Sequence, residues 1–247
     1  MGLTTVAQAE DFKFATTTDP QTMDPHAVNS APVLGFLNSV YEGLVRRGKD
    51  MSVEPSLATS WEPLANGAGW RFTLREGVSF KDGAAFNADD VIFSYQRASN
   101  EASDTRSWFA PISKVKKVDE FTVDFMTNAP NPVFPDSIAN WMIMDSGWAE
   151  ANNASLPDKE AGNYATLNTN GTRAFQITMR EPGLRTVLEP HAGWWGEVAY
   201  VPIYVQPLIW GVRNNIKLTQ RSDNFYFLRW ATVNKETSGA VSGLASS

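Results

Sequence analysis

Trp70 to Arg97 reads WRFTLREGVSFKDGAAFNADDVIFSYQR, and this stretch decides the fold. Trp70, Phe72 and Leu74 alternate with Arg71, Thr73 and Arg75, the two-residue period of a strand with one buried face. Gly77 interrupts the alternation, Val78 and Phe80 resume it, and Lys81-Asp82-Gly83 reads as a tight turn. Asn87 suits a helix N-cap, with Asp89 and Asp90 in the first turn where the helix dipole favours anions. Val91, Ile92, Tyr95 and Ala98 recur at helical spacing, so the helix is expected to lay one face on the sheet. Strand, turn and capped helix in this order define an α/β chain.

The same stretch resembles the solute-binding proteins of peptide-type ABC importers, the dipeptide- and oligopeptide-binding group. The shared pattern falls on Leu74, Arg75, Gly77, Val78, Phe80, Asp82, Gly83, Phe86, Ala88, Asp90, Val91, Phe93 and Ser94, and departs from it at Lys81, where histidine is usual. Thr17 to His26 is similar to the family's opening loop, with Met23 in place of leucine, and Tyr41-Glu42-Gly43-Leu44-Val45 and Pro55 to Trp61 follow the family wording. Asn170 to Phe175 corresponds to a G-T-G-P-aromatic turn in which the second glycine is Arg173 and the proline is Ala174. His191 to Gly196 looks like the family's N-x-x-Y-W corner. The motif identifies a scaffold and leaves the ligand unnamed.

The resemblance implies a periplasmic-binding-protein-like lobe of type II, with a mixed central sheet and an inserted β-rich subdomain. The sheet is expected to take strands from Asp11–Thr16, Phe175–Met179, Thr186–Leu188 and Val201–Val205. Residues 10–44 and 166–236 then form the main lobe, and 45–165 the inserted subdomain. Residues 1–9 read as a signal-peptide remnant, since Ala7-Gln8-Ala9 has the small-residue form of a cleavage site, and 237–247 as a flexible or tag-like tail. After Trp195 the family continues into a second lobe, whereas Val198 to Pro207 is similar to a segment near the family's C-terminus. The chain therefore reads as joined across a deletion near Glu197-Val198, with the second lobe mostly gone.

Outward from the motif, a helix from about Pro32 presents Leu34, Leu37, Val40 and Tyr41, and Lys114–Met126 reads as a hairpin turning at Asp119-Glu120. Pro130, Pro132 and Pro135 are expected to start a helix running through Asn140, Trp141 and Met142. The polar run 151–170 reads as loop with a short helix near Pro157.

Composition narrows the chemistry. A net charge of −6 in 247 residues argues against a nucleic-acid partner, which needs clustered Lys and Arg. With no cysteine, disulfides, thiolate metal sites and cysteine nucleophiles are excluded. His26 has no sequence neighbour with which to hold a metal, and neither Asp89-Asp90 nor Asp119-Glu120 reads as buried enough for a raised carboxyl pKa. No cofactor and no enzymatic activity are expected.

Binding is the expected function. The resemblance implies two lobes closing on a peptide or similar small solute, delivered to a membrane permease outside the cytoplasm. Thr18, Met23, Asp24, Asn140, Trp141 and Thr172 are the expected ligand-binding residues. Trp141 reads as an apolar wall or, equally, a core residue. Arg173 adds a charge at the same rim, either strained at positive φ or relaxed; it pairs with Asp19 or Asp24 or holds a carboxylate-bearing ligand, or, equally, is a solvated arginine on a remodelled loop. A single lobe is expected to bind weakly or differently and to self-associate through the exposed cleft face around Trp141. The alternatives are a retained or engineered scaffold lobe that binds nothing and, more distantly, a secreted hydrolase.

Overall fold

The computed structural model describes residues 18–196, together with the backbone of 216–217 and 232–233. In chain order these form α1 (Ala31–Leu37), β1 (Val45–Arg47), β2 (Val53–Pro55), β3 (Ala58–Pro63), β4 (Gly69–Leu74), α2 (Ala88–Ala98), β5 (Ile112–Asp119), β6 (Thr122–Thr127), α3 (Phe134–Ser137), α4 (Ser146–Ala151), β7 (Phe175–Glu181), β8 (Arg185–Pro190), β9 (Ile216–Lys217) and β10 (Thr232–Val233). Single 3-10 turns lie at Ala65–Gly67, Arg106–Phe109 and Tyr164–Thr166.

The motif strand becomes β4, inside an antiparallel sheet of order β3-β4-β6-β5. Phe72 stands opposite Trp61 on one side and Val123 on the other, so the apolar side chains share a face. Phe72, Leu74, Val123 and Phe125 are buried there, each such side chain contributing roughly 1.5–3 kcal/mol. Gly69 opens the strand at φ 147, where a Cβ would come within 2.0 Å of the Phe125 carbonyl oxygen; only glycine lets the strands approach this closely. The lysines of β5 line the outer edge of the sheet, where charge discourages pairing with another chain.

Helix α2 begins as its sequence dictates. Asn87 Oδ1 accepts from the Asp89 N–H, and Asp90 Oδ2 accepts from the Asn87 N–H, a reciprocal cap. Tyr95 then sets its ring edge-on to Phe125 and Phe109, at 6.1 and 5.4 Å. The turn after Val78 closes with Gly83 N–H on Phe80 O, with Gly83 at φ 91. Lys81 is exposed, and its ammonium donates to the Ile177 carbonyl at 2.9 Å. That contact ties the motif turn to β7.

Two apolar clusters form. One lies under the sheet; the other gathers Met23, α1, Tyr41, Met142 and Met144. Between them runs Trp141–Asp145, buried at every position. Trp141 and Ile143 belong to the sheet cluster and Met142 and Met144 to the other. The helix expected through Asn140–Met142 therefore stops at Ser137. An extended backbone alternates its side chains between two cores, which a helix cannot do. The segment's polar groups are met by Ile143 N–H to Glu42 O and by Ser94 Oγ, which bonds both N and O of Met144. The short helix expected near Pro157 is found instead at Tyr164–Thr166, capped by Asn163.

Strands β7 and β8 pair with each other in antiparallel fashion; no further partner occurs among the described residues. Their hairpin is anchored by Arg180, which donates to both carboxylate oxygens of Asp19. The expected strands 11–16 and 201–205, the join at 197–198, and the segments 1–9 and 237–247 lie outside the described residues.

Candidate functional site

The chemistry gathers where the motif turn meets the stretch 170–177 and the corner 191–196. At its centre is Glu42, fully buried just after α1 and two positions before the sheet cluster's Leu44. Glu42 Oε2 accepts from Thr172 Oγ1 and from the Trp195 indole N–H, each at 3.0 Å. Glu42 Oε1 accepts from Arg173 Nη1, also at 3.0 Å. Three donors from two distant segments thus converge on one carboxylate. Burial pulls the Arg173 guanidinium below its ordinary pKa; Glu42 opposes this and nearby Arg46 adds to it. Arg75, the second residue of the shared pattern, lays its guanidinium over the Trp195 ring at 3.8 Å and donates from Nε to Ser56 O. Trp195 remains half-buried, fixed on one edge by Glu42 and on one face by Arg75.

The backbone here permits no side chains at two points. A Cβ on Gly43 would lie 2.3 Å from Trp141 O, and one on Gly171 2.1 Å from Val40 O. Both glycines let segments distant in sequence touch, which brings Trp141 and Thr172 to the two flanks of the 40–43 stretch.

Of the expected ligand residues, Thr172 and Arg173 meet on Glu42, and Asn140 and Trp141 lie beside Gly43. Asn140 is half-buried, and its Oδ1 is enclosed without a hydrogen-bond partner among the described residues. Thr18 is exposed at the start of the described chain. Met23 and Asp24 are elsewhere: Met23 is sealed in the second cluster and Asp24 in a buried ion pair with Arg97.

Several expectations are corrected. Trp141 is 1% exposed, wedged against Phe109 at 4.9 Å and Phe125 at 6.0 Å, so it is a core residue and offers no apolar wall. The reason given for self-association through its face goes with it. Met23, Asp24 and Thr172, each 0% exposed, and Arg173 at 5%, likewise have almost no surface open to a ligand. Arg173 is absent from the positive-φ residues, so its turn has relaxed and carries no left-handed strain. It pairs with Glu42, because Arg180 already holds Asp19 and Arg97 holds Asp24. Asp90 is 3% exposed, and burial raises its pKa despite hydrogen bonds from Ser146 and Asn87. Asp145 is shifted the same way, again chiefly by burial and then by Asp90 and Asp82.

Sequence reasoning missed Glu42, Arg75, Trp195 and Arg97 as polar anchors. Glu42 and Arg75 stood inside matched motifs, so a charged residue within an otherwise apolar or turn pattern was the available signal. Among the described residues, no group of three or more His, Asp or Glu is placed to hold a metal ion.

The junction is thus a buried polar node on an α/β scaffold, with one carboxylate at its centre. Residues 52–205, more than half of the chain, match the family described as bacterial extracellular solute-binding proteins, family 5, middle region. The chain belongs to that family. It is 31% identical over 175 residues to the peptide transport periplasmic protein SapA of Salmonella typhimurium, covering 62% of this chain and 31% of that protein. Among solved structures, NikZ from Campylobacter jejuni in complex with Ni(L-His) superposes with a TM-score of 0.65 at 24% identity, covering 74% of this chain and 36% of NikZ. DppA from Helicobacter pylori, in complex with the peptide STSA, gives a TM-score of 0.59 at 25% identity over 72% of this chain and 38% of DppA. The fold is that of type II periplasmic binding proteins, and the chain spans about a third of the length of the relatives it matches.

Proposed function

We infer that this chain supplies one lobe of an extracytoplasmic solute-binding protein that serves an ABC importer and takes a peptide or peptide-like solute. It works by binding, without chemical turnover. The observation that carries this reading is the family match across residues 52–205, which contains the whole motif segment and the junction's Arg75, Thr172, Arg173 and Trp195. SapA's name specifies peptide transport, and the Helicobacter DppA structure holds a peptide, which favours that class of solute. In this reading residues 45–165 form the inserted subdomain. The rim consists of Thr18 and Asn140, joined by Trp195 and Arg75, while the buried Thr172, Arg173, Met23, Asp24 and Trp141 support it from beneath.

The mechanism follows from linkage. A solute that bridges this surface and an opposing one stabilises the closed arrangement over the open one by its difference in affinity for the two. The closed form is what the permease receives.

A thermal-shift screen tests the reading. Di- to pentapeptides, opines and metal–amino-acid chelates are added to the full chain, and at least one peptide is expected to raise the melting temperature in proportion to the logarithm of its concentration. A flat response across the peptide set at millimolar concentration would sink the binding function and leave a scaffold that holds the fold alone.

A further inference from the structure

We propose that Arg173 is the built-in occupant of a cation pocket whose floor is Glu42, and that this side chain bars cationic groups of a solute from that carboxylate. The two oxygens of Glu42 differ in what holds them. Oε2 takes Thr172 Oγ1 and Trp195 Nε1, which would stay in place whatever stood at 173. Among the described residues, Oε1 takes Arg173 Nη1 alone. The backbone of Arg173 is separately fixed, its N–H donating to Val40 O at 3.0 Å and its carbonyl accepting from His191 Nδ1 at 3.0 Å. The main chain here therefore does not depend on the guanidinium, and φ at 173 is not left-handed.

Remove the side chain, and one oriented carboxylate oxygen is left facing a space of guanidinium size. Glu42 is 0% exposed and the Arg173 side chain 6%, so the vacated site has little access to screening by bulk water. An uncompensated buried carboxylate is costly, and that cost is the pull on an external cation. The charges facing the site are Glu42, Arg46 and, across Trp195, Arg75. Arg46 is balanced by Glu54 at 3.0 Å, and Arg75 is engaged by the indole ring and Ser56 O. Among the described residues the carboxylate is then the charge without an ionic partner at the floor of the site, with Arg75 set behind the indole ring. Monosubstituted guanidinium or primary ammonium, each a donor with full positive charge, is the class that fits. The residue at 173 thus sets the charge preference of the junction: arginine makes it self-neutralised, and glycine makes it a receptor for a basic group. Its bearing on solute choice rests on the binding function above; the pocket does not, and the test reads the pocket alone.

The experiment compares the full chain, Arg173→Gly and the double variant Glu42→Gln/Arg173→Gly in thermal melts. Methylguanidinium chloride at 1–20 mM is matched against sodium chloride at equal ionic strength. Arg173→Gly is expected to melt below the unsubstituted chain and to regain about 3 °C or more with methylguanidinium but not sodium. Neither the unsubstituted chain nor the double variant should respond. An equal response of all three proteins, or none in Arg173→Gly, overturns the proposal. If Arg173→Gly does not melt cooperatively, Arg173→Ala replaces it. Failure of both to fold with or without methylguanidinium also overturns it, because the pocket would then not be separable from the fold.

Discussion

Replacing Arg97 with methionine should cost about 3–5 kcal/mol of stability, the range for breaking one half of a buried ion pair. Arg97 and Asp24 both have side chains at 0% exposure. The guanidinium donates to both Asp24 oxygens, to the Ala154 and Leu156 carbonyls, and to His26 Nδ1 at 3.2 Å. It thereby clamps the loop at 24–26 and the segment 154–156 to the end of α2. Methionine fills much of the volume but leaves the Asp24 carboxylate in an apolar interior with no counter-charge. The contrast is Lys159–Asp104, whose side chains are 44% and 35% exposed; Lys159→Met should leave stability nearly unchanged, because solvent screens the pair. Urea melts of both variants check the pair. A loss at Arg97 as small as that at Lys159 would mean that water reaches Asp24 and the clamp is not a buried one.

Acid should weaken the protein well before Asp24 titrates, and His26 is the reason. Its Nε2 lies 2.9 Å from Met142 O and must donate, so Nδ1 is the lone pair that accepts from Arg97. A second proton would have to enter a fully buried site against the guanidinium. Burial first, and then the Arg97 charge, push its pKa from the ordinary 6.5 down to about 3, with Asp24 and Met142 O opposing. Between those values the unfolded chain binds a proton that the folded chain refuses. The stability is therefore complete above pH 6.5 and falls on acidification by about 1.4 kcal/mol per unit, near 2 kcal/mol at pH 5. Asp24 acts in the same direction but later. Burial raises its pKa and the Arg97 hydrogen bonds and charge outweigh that, so its folded pKa is lowered and its contribution is lost only below about pH 4. Asp90 and Asp145 act oppositely, because their raised pKa values make protonation favour the folded state. Denaturant stability measured from pH 7.5 to 5 should fall for the unsubstituted chain and be flatter for His26→Asn. Parallel profiles for the two would show that another group carries the slope.

What could be read in the sequence was what neighbouring residues settle among themselves. The alternation Trp70-Phe72-Leu74, the Gly83 turn and the Asn87 cap each involve residues within a few positions, and each folds as its spacing dictates. The site was legible only as a neighbourhood. Thr172 lies 130 residues from Glu42, and Asp24 lies 73 from Arg97, so no local pattern names either pair. Arg97 closes the motif stretch in the position of a solvated helix-end cation, and only the fold shows it turned inward. In the sequence Trp141 suits wall and core equally, as an aromatic residue does; the clusters on either side make it core. Asp90 looked like a cap and is one, yet Ser146, 56 residues away, closes over it.

The strip Trp141–Asp145 joins the two clusters through one backbone. Its odd-numbered apolar side chains are rooted in one core and its even-numbered ones in the other, so neither core can loosen without dragging the strip out of register with its neighbour. The two cores of this region are thereby expected to melt together, as one cooperative unit.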